Sequence, residues 1–412
     1  MIRTRLILTV LSIFGSFGSF LAYSLLLKYW GPSSELDLFF STSSIPLAIS
    51  GIVSGLLLYI LPPYFTRVDA CLQQKTVEAA LFLLIAVMVF SMSVVTICGA
   101  LQRDLSIFLF WVGFSLVAFL LLLVTLLTCV AQAKGAFYLS AIGPILISVG
   151  TFGGVGLGIF FHFLWWVLIG QIIGASFAVI WLVKFLSINF SIRRMDCNIA
   201  SSILKPLWAQ SVMVAIGTLS FTLFQPMDAV LCANLVPGSV SVMSYAQRII
   251  VAVGTALSFG AYTIVSRASS DSLRVGGAAA VRRLANAEVF RLVILGLVVW
   301  VTFRGIGNRL LVFVFSSKAM GLSDISKLYG VVSWMLLGIG PMTATPYLFR
   351  ILYVKCDFVT PAALGLLMPF SYCFISWLLI PFFDLMALAY SYTFLWWFTL
   401  GIVVFRLNMC RW

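Results

Sequence analysis

The stretch "SYAQRIIVAVGTALSFGAYTIVS", residues 244–266, carries a single charge, Arg248, and the next basic residue is Arg267. A hydrocarbon core of ~30 Å needs roughly 20 apolar residues at a rise of 1.5 Å each, so this run has the length and polarity of a membrane-crossing helix. Its apolar residues do not alternate with polar ones over ~10-residue segments, which excludes a strand of a transmembrane β-barrel. Arg248 is therefore the puzzle. A guanidinium in hydrocarbon is costly and by default points to function, unless it has a partner or reaches the headgroups.

Working outward, the rest of the chain repeats the pattern. Of its 412 residues 62% are hydrophobic and only 9% charged, too few polar side chains to cover a water-soluble fold. Breaks at charges, prolines and turn residues delimit twelve apolar runs near 6–29, 38–61, 77–98, 106–130, 138–160, 163–187, 207–235, 241–266, 287–303, 328–353, 359–381 and 385–406. The expected fold is all-α and polytopic, with about 12 transmembrane helices. A shorter run, "LLVFVF" (310–315), extends the ninth helix or lies in the interface. The first run begins like a signal peptide, but its length and the lack of an A-x-A site favour a retained span.

The net charge of +13 does not indicate nucleic acid. With the N-terminus cytoplasmic, eighteen of the 25 basic residues fall on the inner side. Six fall on the outer side: Lys28, Arg103, Arg304, Arg309, Lys318 and Lys327. This is the positive-inside bias, and it places both termini in the cytoplasm. The eight cysteines are scattered; Cys98 and Cys232 lie near outer helix ends without forming a disulfide framework. The single histidine, His162, reads as an interfacial side chain, so metal binding has no support.

The longest connections are cytoplasmic, near 188–206 and 267–286, and outer, near 304–327. The first divides the chain into six runs and six, giving lobes over 1–190 and 207–412 joined by a linker at 191–206. Two such halves entering from the same side suggest parallel repeats. "GPSSELDLFF" after the first run and "PGSVSVMSYA" after the seventh occupy equivalent places, each a serine-rich outer turn. Prolines inside or at the ends of the runs, among them Pro46, Pro226, Pro341, Pro346 and Pro369, each free a backbone carbonyl and kink a helix. Glycines in "GTFGGVGLG" (150–158) allow close helix contact.

No serine–histidine–aspartate or cysteine–histidine set, D-x-D, H-E-x-x-H or phosphate-binding glycine loop is present, so an enzyme is not expected. The deep charges are Asp228 and Arg248, each ten residues from Gly238. Matched depth on adjacent antiparallel helices allows an ion pair. Equally, Arg248 could grip an anionic group, since a guanidinium matches phosphate geometry, with Asp228 releasing it when substrate or a cation arrives. Glu35 and Asp37 read first as an ordinary helix N-cap. Arg350, Lys355 and Asp357 form a basic cytoplasmic turn.

Three segments resemble motifs of the MurJ/MviN lipid II flippases and, more broadly, of the multidrug/oligosaccharidyl-lipid/polysaccharide (MOP) exporter superfamily. "GPSSELDLFFSTSSIP" is similar to that family's outer turn, "GSVSVMSYAQRI" to its G-S-V-S-x-x-x-Y-A-x-R motif, and "LYVKCDFVTP" to its F-Y-x-x-x-D-x-[KR]-T-P motif. The resemblance implies two six-helix lobes around a central cavity and a cargo of undecaprenyl-pyrophosphate-linked glycan. It implies substrate contacts at Asp37, Tyr245 and Arg248. At Asp228, with Ser376 on the eleventh helix, it implies an ion-coupling site for Na+ or H+, and no other cofactor.

There are departures. The first helix is uncharged from Leu6 to Leu27, Pro46 is followed by "LAISG", and the eleventh helix offers Ser371 and Ser376 in place of a second acid. The two extra helices of lipid II flippases are missing after the twelfth run. These favour a flippase for a surface polysaccharide unit over lipid II, in a bacterial inner membrane. Its partners would be the lipid-linked oligosaccharide, membrane lipids and polysaccharide-synthesis enzymes at the cytoplasmic loops. The rivals are a multidrug antiporter of the same superfamily, a membrane glycosyltransferase and a non-transporting scaffold.

Overall fold

Apolar runs this long satisfy their backbone groups internally, and the structure, a computed structural model, resolves them as helices. It describes residues 2–65, 76–78, 80–81, 84–86, 105–186, 197–317, 319–355 and 357–409. Among these there is no strand. The helices are α1 (Ile2–Trp30), α2 (Ser34–Phe65), α3 (Leu105–Ala133), α4 (Phe137–Phe161), α5 (Trp165–Leu186) and α6 (Cys197–Thr222). They continue as α7 (Phe224–Cys232), α8 (Ser239–Phe315), α9 (Leu322–Leu337), α10 (Ile339–Val354), α11 (Val359–Phe383) and α12 (Met386–Met409). Among the described residues, eight segments are long and apolar enough to cross a membrane, and ten if two bent pairs each count as one. The protein is a multi-pass membrane protein. Most of the third expected run, and Cys98, lie outside the described residues.

The two bends have sequence causes. Pro226 cannot donate to the carbonyl of Thr222, and α6 meets α7 at 42°. Pro341 likewise frees the carbonyl of Leu337, and α9 meets α10 at 43° around Gly338. There the Trp397 indole N–H donates to Leu337 O at 3.1 Å, so the orphaned carbonyl is satisfied by a neighbouring helix. Pro144, Pro346, Pro369 and Pro381 lie inside unbroken helices.

One expectation is corrected. Segment 267–286 is not a loop, because α8 continues through it, and "LLVFVF" extends the same helix outward to Phe315. The "AAAVRRLANAE" composition there is rich in helix formers, which outweighs its charge. The helix is not straight. Gly254 and Gly296, which a straight helix would hold about 63 Å apart, both lie against the α9–α10 joint. A Cβ at Gly254 would sit 3.4 Å from Thr343, and one at Gly296 would sit 2.7 Å from Gly340. The helix therefore doubles back between them, and its two arms correspond to the eighth and ninth expected spans.

The chain forms two compact units. One comprises Met1–Ile13, Tyr23–Asp37 and Leu219–Trp412; the other comprises Phe14–Ala22 and Leu38–Thr218. The first is centred on Leu292, Ala344, Leu348, Leu352 and Val403, all buried. Its inclusion of 23–37 has a local cause, since Ser317 Oγ donates to Lys28 O at 2.6 Å and Asp37 bonds to α8. The second is centred on Leu84, Leu126, Cys129 and Leu182. Within it α4 and α5 pack through glycines, as the 150–158 cluster suggests. A Cβ at Gly170 would fall 2.5 Å from Gly154 Cα, and one at Gly154 would fall 2.5 Å from Trp166 O. Backbone cannot yield here as a side chain can. Gly170→Ala is expected to force the helices apart and cost about 1–3 kcal/mol, the usual penalty of overpacking. Gly153→Ala is the control, because nothing lies within 4 Å of that Cβ. Thermal midpoints of the two purified variants check this; equal midpoints would refute the close-packed seam.

Candidate functional site

The two turns that the sequence singled out meet. At the start of α2, Ser33 Oγ accepts the N–H of Leu36 at 3.4 Å, so Ser33 caps α2 and leaves Asp37 for another task. Asp37 Oδ2 accepts the N–H of Gly238 at 2.6 Å, and Oδ1 accepts the N–H of Ser241 at 2.7 Å together with its hydroxyl. Asp37 is thus the cap of α8, supplied from over 200 residues away, and not the cap of its own helix. A carboxylate at a helix N-terminus satisfies orphan donors and complements the dipole. The approach also needs glycine: Gly238 has φ +93°, and a Cβ there would lie 2.8 Å from Pro32. Glu35 is exposed. Asp37→Ala is expected to cost about 0.5–2 kcal/mol, the range for lost N-caps. Hydrogen exchange should accelerate at 238–242 while the far end of α8 is unchanged. Unaltered exchange there would remove Asp37 from this role.

Arg248 and Asp228 are not paired with each other. Both Asp228 oxygens are taken by neutral donors, Oδ2 by the Gln247 side-chain amide and Oδ1 by the Tyr372 hydroxyl. Consecutive helical residues point about 100° apart, so Gln247 can face α7 only if Arg248 turns away. Arg248 instead places its guanidinium carbon 3.4 Å from the centroid of the Tyr23 ring on α1, a cation–π contact. Asp228 is 4% exposed and lies beside an aromatic cluster. Phe224, one turn before it, contacts the rings of Tyr372, Tyr392 and Trp396 at centroid distances of 4.7, 5.4 and 5.8 Å.

Tyr245 is buried, with its ring edge-on to Phe315 at 6.5 Å. Ser376 is fully buried one turn beyond Tyr372, and its hydroxyl has no hydrogen-bond partner among the described residues. Gln247, Tyr372, Tyr23 and Ser241 were missed in the sequence. Gln247 and Tyr372 carried a faint signal, as neutral polar residues beside Arg248 and one turn from Ser376.

At the α10–α11 turn, Asp357 accepts the Thr360 N–H at 3.1 Å and its hydroxyl at 2.9 Å, and faces Arg406 Nε at 3.4 Å. Burial pushes its carboxyl up, but the Thr360 bonds and Arg406 outweigh that and hold it below the ordinary carboxylate value. The turn is therefore an N-cap tied to α12, beyond a basic topology signal.

With this geometry in place, comparison with solved structures places the fold. The lipid II flippase MurJ in an inward closed conformation superposes with a TM-score of 0.77, over 98% of this chain and 88% of that one, at 13% identity. The chain shares its fold with MOP-superfamily transporters. An inward-facing multidrug resistance MATE family transporter gives 0.72, covering 96% and 94% at 11% identity. A MOP superfamily transporter from Pyrococcus furiosus, described as having a binding pocket of reverse polarity, gives 0.65, covering 98% and 95% at 12% identity. No protein-family profile and no curated protein matches the sequence. These neighbours are transporters, not enzymes.

Proposed function

We propose that the protein is an alternating-access flippase that turns an undecaprenyl-pyrophosphate-linked glycan from the inner to the outer leaflet of a bacterial cytoplasmic membrane. Both termini would then be cytoplasmic. The observation that carries this reading is Arg248, a half-buried cation in a membrane-crossing helix, held over Tyr23, while the oxygens of Asp228 accept from the neutral Gln247 and Tyr372. The planar fork of N–H donors on a guanidinium matches the oxygens of a pyrophosphate. The missing second acid and the neutral cage around Asp228 favour an anionic cargo over a cationic one.

A second reading has its own support. Asp228 beside Phe224, Tyr372, Tyr392 and Trp396 combines an acid with aromatic faces, the combination that takes organic cations in a multidrug antiporter. Depleting the protein and measuring undecaprenyl-linked intermediates by mass spectrometry separates the two. Accumulation of one lipid-linked glycan, cleared when the protein is restored, supports the flippase. A normal intermediate pool together with lost efflux of a lipophilic cation such as ethidium supports the antiporter.

A further inference from the structure

Arg248 meets α1 through a ring and not through a charge, because α1 carries no charged residue from Leu6 to Leu27. The contact is close enough to fix the orientation of the guanidinium. Its carbon lies 3.4 Å from the centroid of the Tyr23 ring. With C–N bonds of about 1.33 Å, an edge-on guanidinium at that height would bring nitrogen to roughly 2–2.7 Å from the ring, well inside the ~3.5 Å of an ordinary contact. The guanidinium therefore lies flat on the ring. Its N–H donors share its plane, so they point along the ring and not into it.

Both sides of this contact are fixed. Tyr23 is buried, one turn before the fully buried Leu26 and Leu27. Five residues beyond Tyr23, about 7.5 Å along the helix, Lys28 O accepts the Ser317 hydroxyl at 2.6 Å, which ties α1 to the turn after α8. On α8, the bond from Gln247 to Asp228 sets the rotation of the helix. The buried Tyr245, one turn before Arg248, packs edge-on to Phe315. An arginine side chain loses much rotamer freedom when it is ordered, whereas a buried ring loses little. Tyr23 thus supplies order that the Arg248 fork would otherwise have to acquire on binding.

We propose that Tyr23 is a positioning residue of the headgroup site: its ring presets the plane of the Arg248 guanidinium for a diphosphate. This rests on the flippase reading of Arg248. Ordering one rotamer-rich side chain on binding weakens a complex by about 2- to 12-fold, and that factor is the share of affinity the ring contributes. The face of the ring makes the contact, so phenylalanine can serve and an aliphatic side chain cannot.

The test is a double-mutant cycle, read by native mass spectrometry of the full-length protein in detergent titrated with undecaprenyl pyrophosphate. Tyr23→Leu is expected to weaken retention of this lipid about 2- to 12-fold, and Tyr23→Phe to restore most of the loss. In the Arg248→Ala background Tyr23→Leu should change nothing further, because the group it positions is gone. A merely structural role would lower affinity by the same factor in both backgrounds, and that result overturns the proposal. So does a Tyr23→Phe variant as weak as Tyr23→Leu, which would assign the effect to the hydroxyl. Wild-type affinity in Tyr23→Leu, with Arg248→Ala weakened, overturns the proposal and leaves the flippase reading standing. Wild-type affinity in Arg248→Ala overturns both. Should Tyr23→Leu misfold, Tyr23→Met decides by the same comparisons, since its flexible side chain refills the buried space without a ring.

Discussion

Replacing Arg248 by alanine is expected to leave the lipid-linked intermediate uncleared in depleted cells, although the protein reaches the membrane folded. The stability cost includes the contact with Tyr23, about 0.5–2 kcal/mol for a cation over a ring. The functional cost is larger. A hydrogen bond to a charged group contributes about 1.5–3 kcal/mol, so losing even one bond to a phosphate weakens the complex roughly 10- to 150-fold. Arg248→Lys should fall between, since it keeps a point charge but loses the planar, two-pronged geometry and much of the stacking. The ordering wild type, lysine, alanine in clearance of the intermediate is the signature of headgroup recognition. Clearance by the alanine variant at the wild-type rate would mean that Arg248 serves packing alone, and a scaffold role would then lead.

Much of this was legible in the chain itself, for identifiable reasons. Hydrocarbon thickness dictates the length of the apolar runs, so the helices could be read directly. Proline's missing N–H made the bends at Pro226 and Pro341 readable as well. The equivalent places of the 31–40 and 237–246 turns in the two halves were also visible. Their contact was not, because nothing local to Asp37 says that its acceptors serve helix α8 instead of its own. Likewise, matched depth suggested that Asp228 and Arg248 meet, but depth says nothing of helix rotation. One residue of offset, Gln247 for Arg248, changed the partner from a cation to a neutral amide. The continuation of α8 through 267–286 was hidden because charge reads as loop, whereas alanine and arginine are good helix formers whether or not lipid surrounds them.

Asp228 separates anchoring from coupling. Its carboxylate joins three helices, α7 through itself, α8 through Gln247 and α11 through Tyr372, just beyond the 42° bend. Asp228→Ala strands the buried Tyr372 hydroxyl, at a cost of about 1–3 kcal/mol, together with the half-buried Gln247 amide, and is expected to lower the thermal midpoint markedly. Asp228→Asn is different. Its Oδ1 can still accept from Tyr372, and a 180° turn of the Gln247 amide presents Oε1 to the new NH2 group. Both contacts survive and only the negative charge is lost, so stability should stay within about 1 kcal/mol of wild type. If Asp228, with Ser376 one turn beyond Tyr372, couples transport to Na+ or H+, the asparagine variant should retain its fold and lose the dependence of transport on that gradient. Vesicles carrying either variant, with the sodium and proton gradients collapsed one at a time, read this directly. An asparagine variant with wild-type gradient dependence would confine Asp228 to anchoring the bend between α6 and α7. The alanine variant would still unfold early, because the stranded donors cost the same whether or not an ion ever binds.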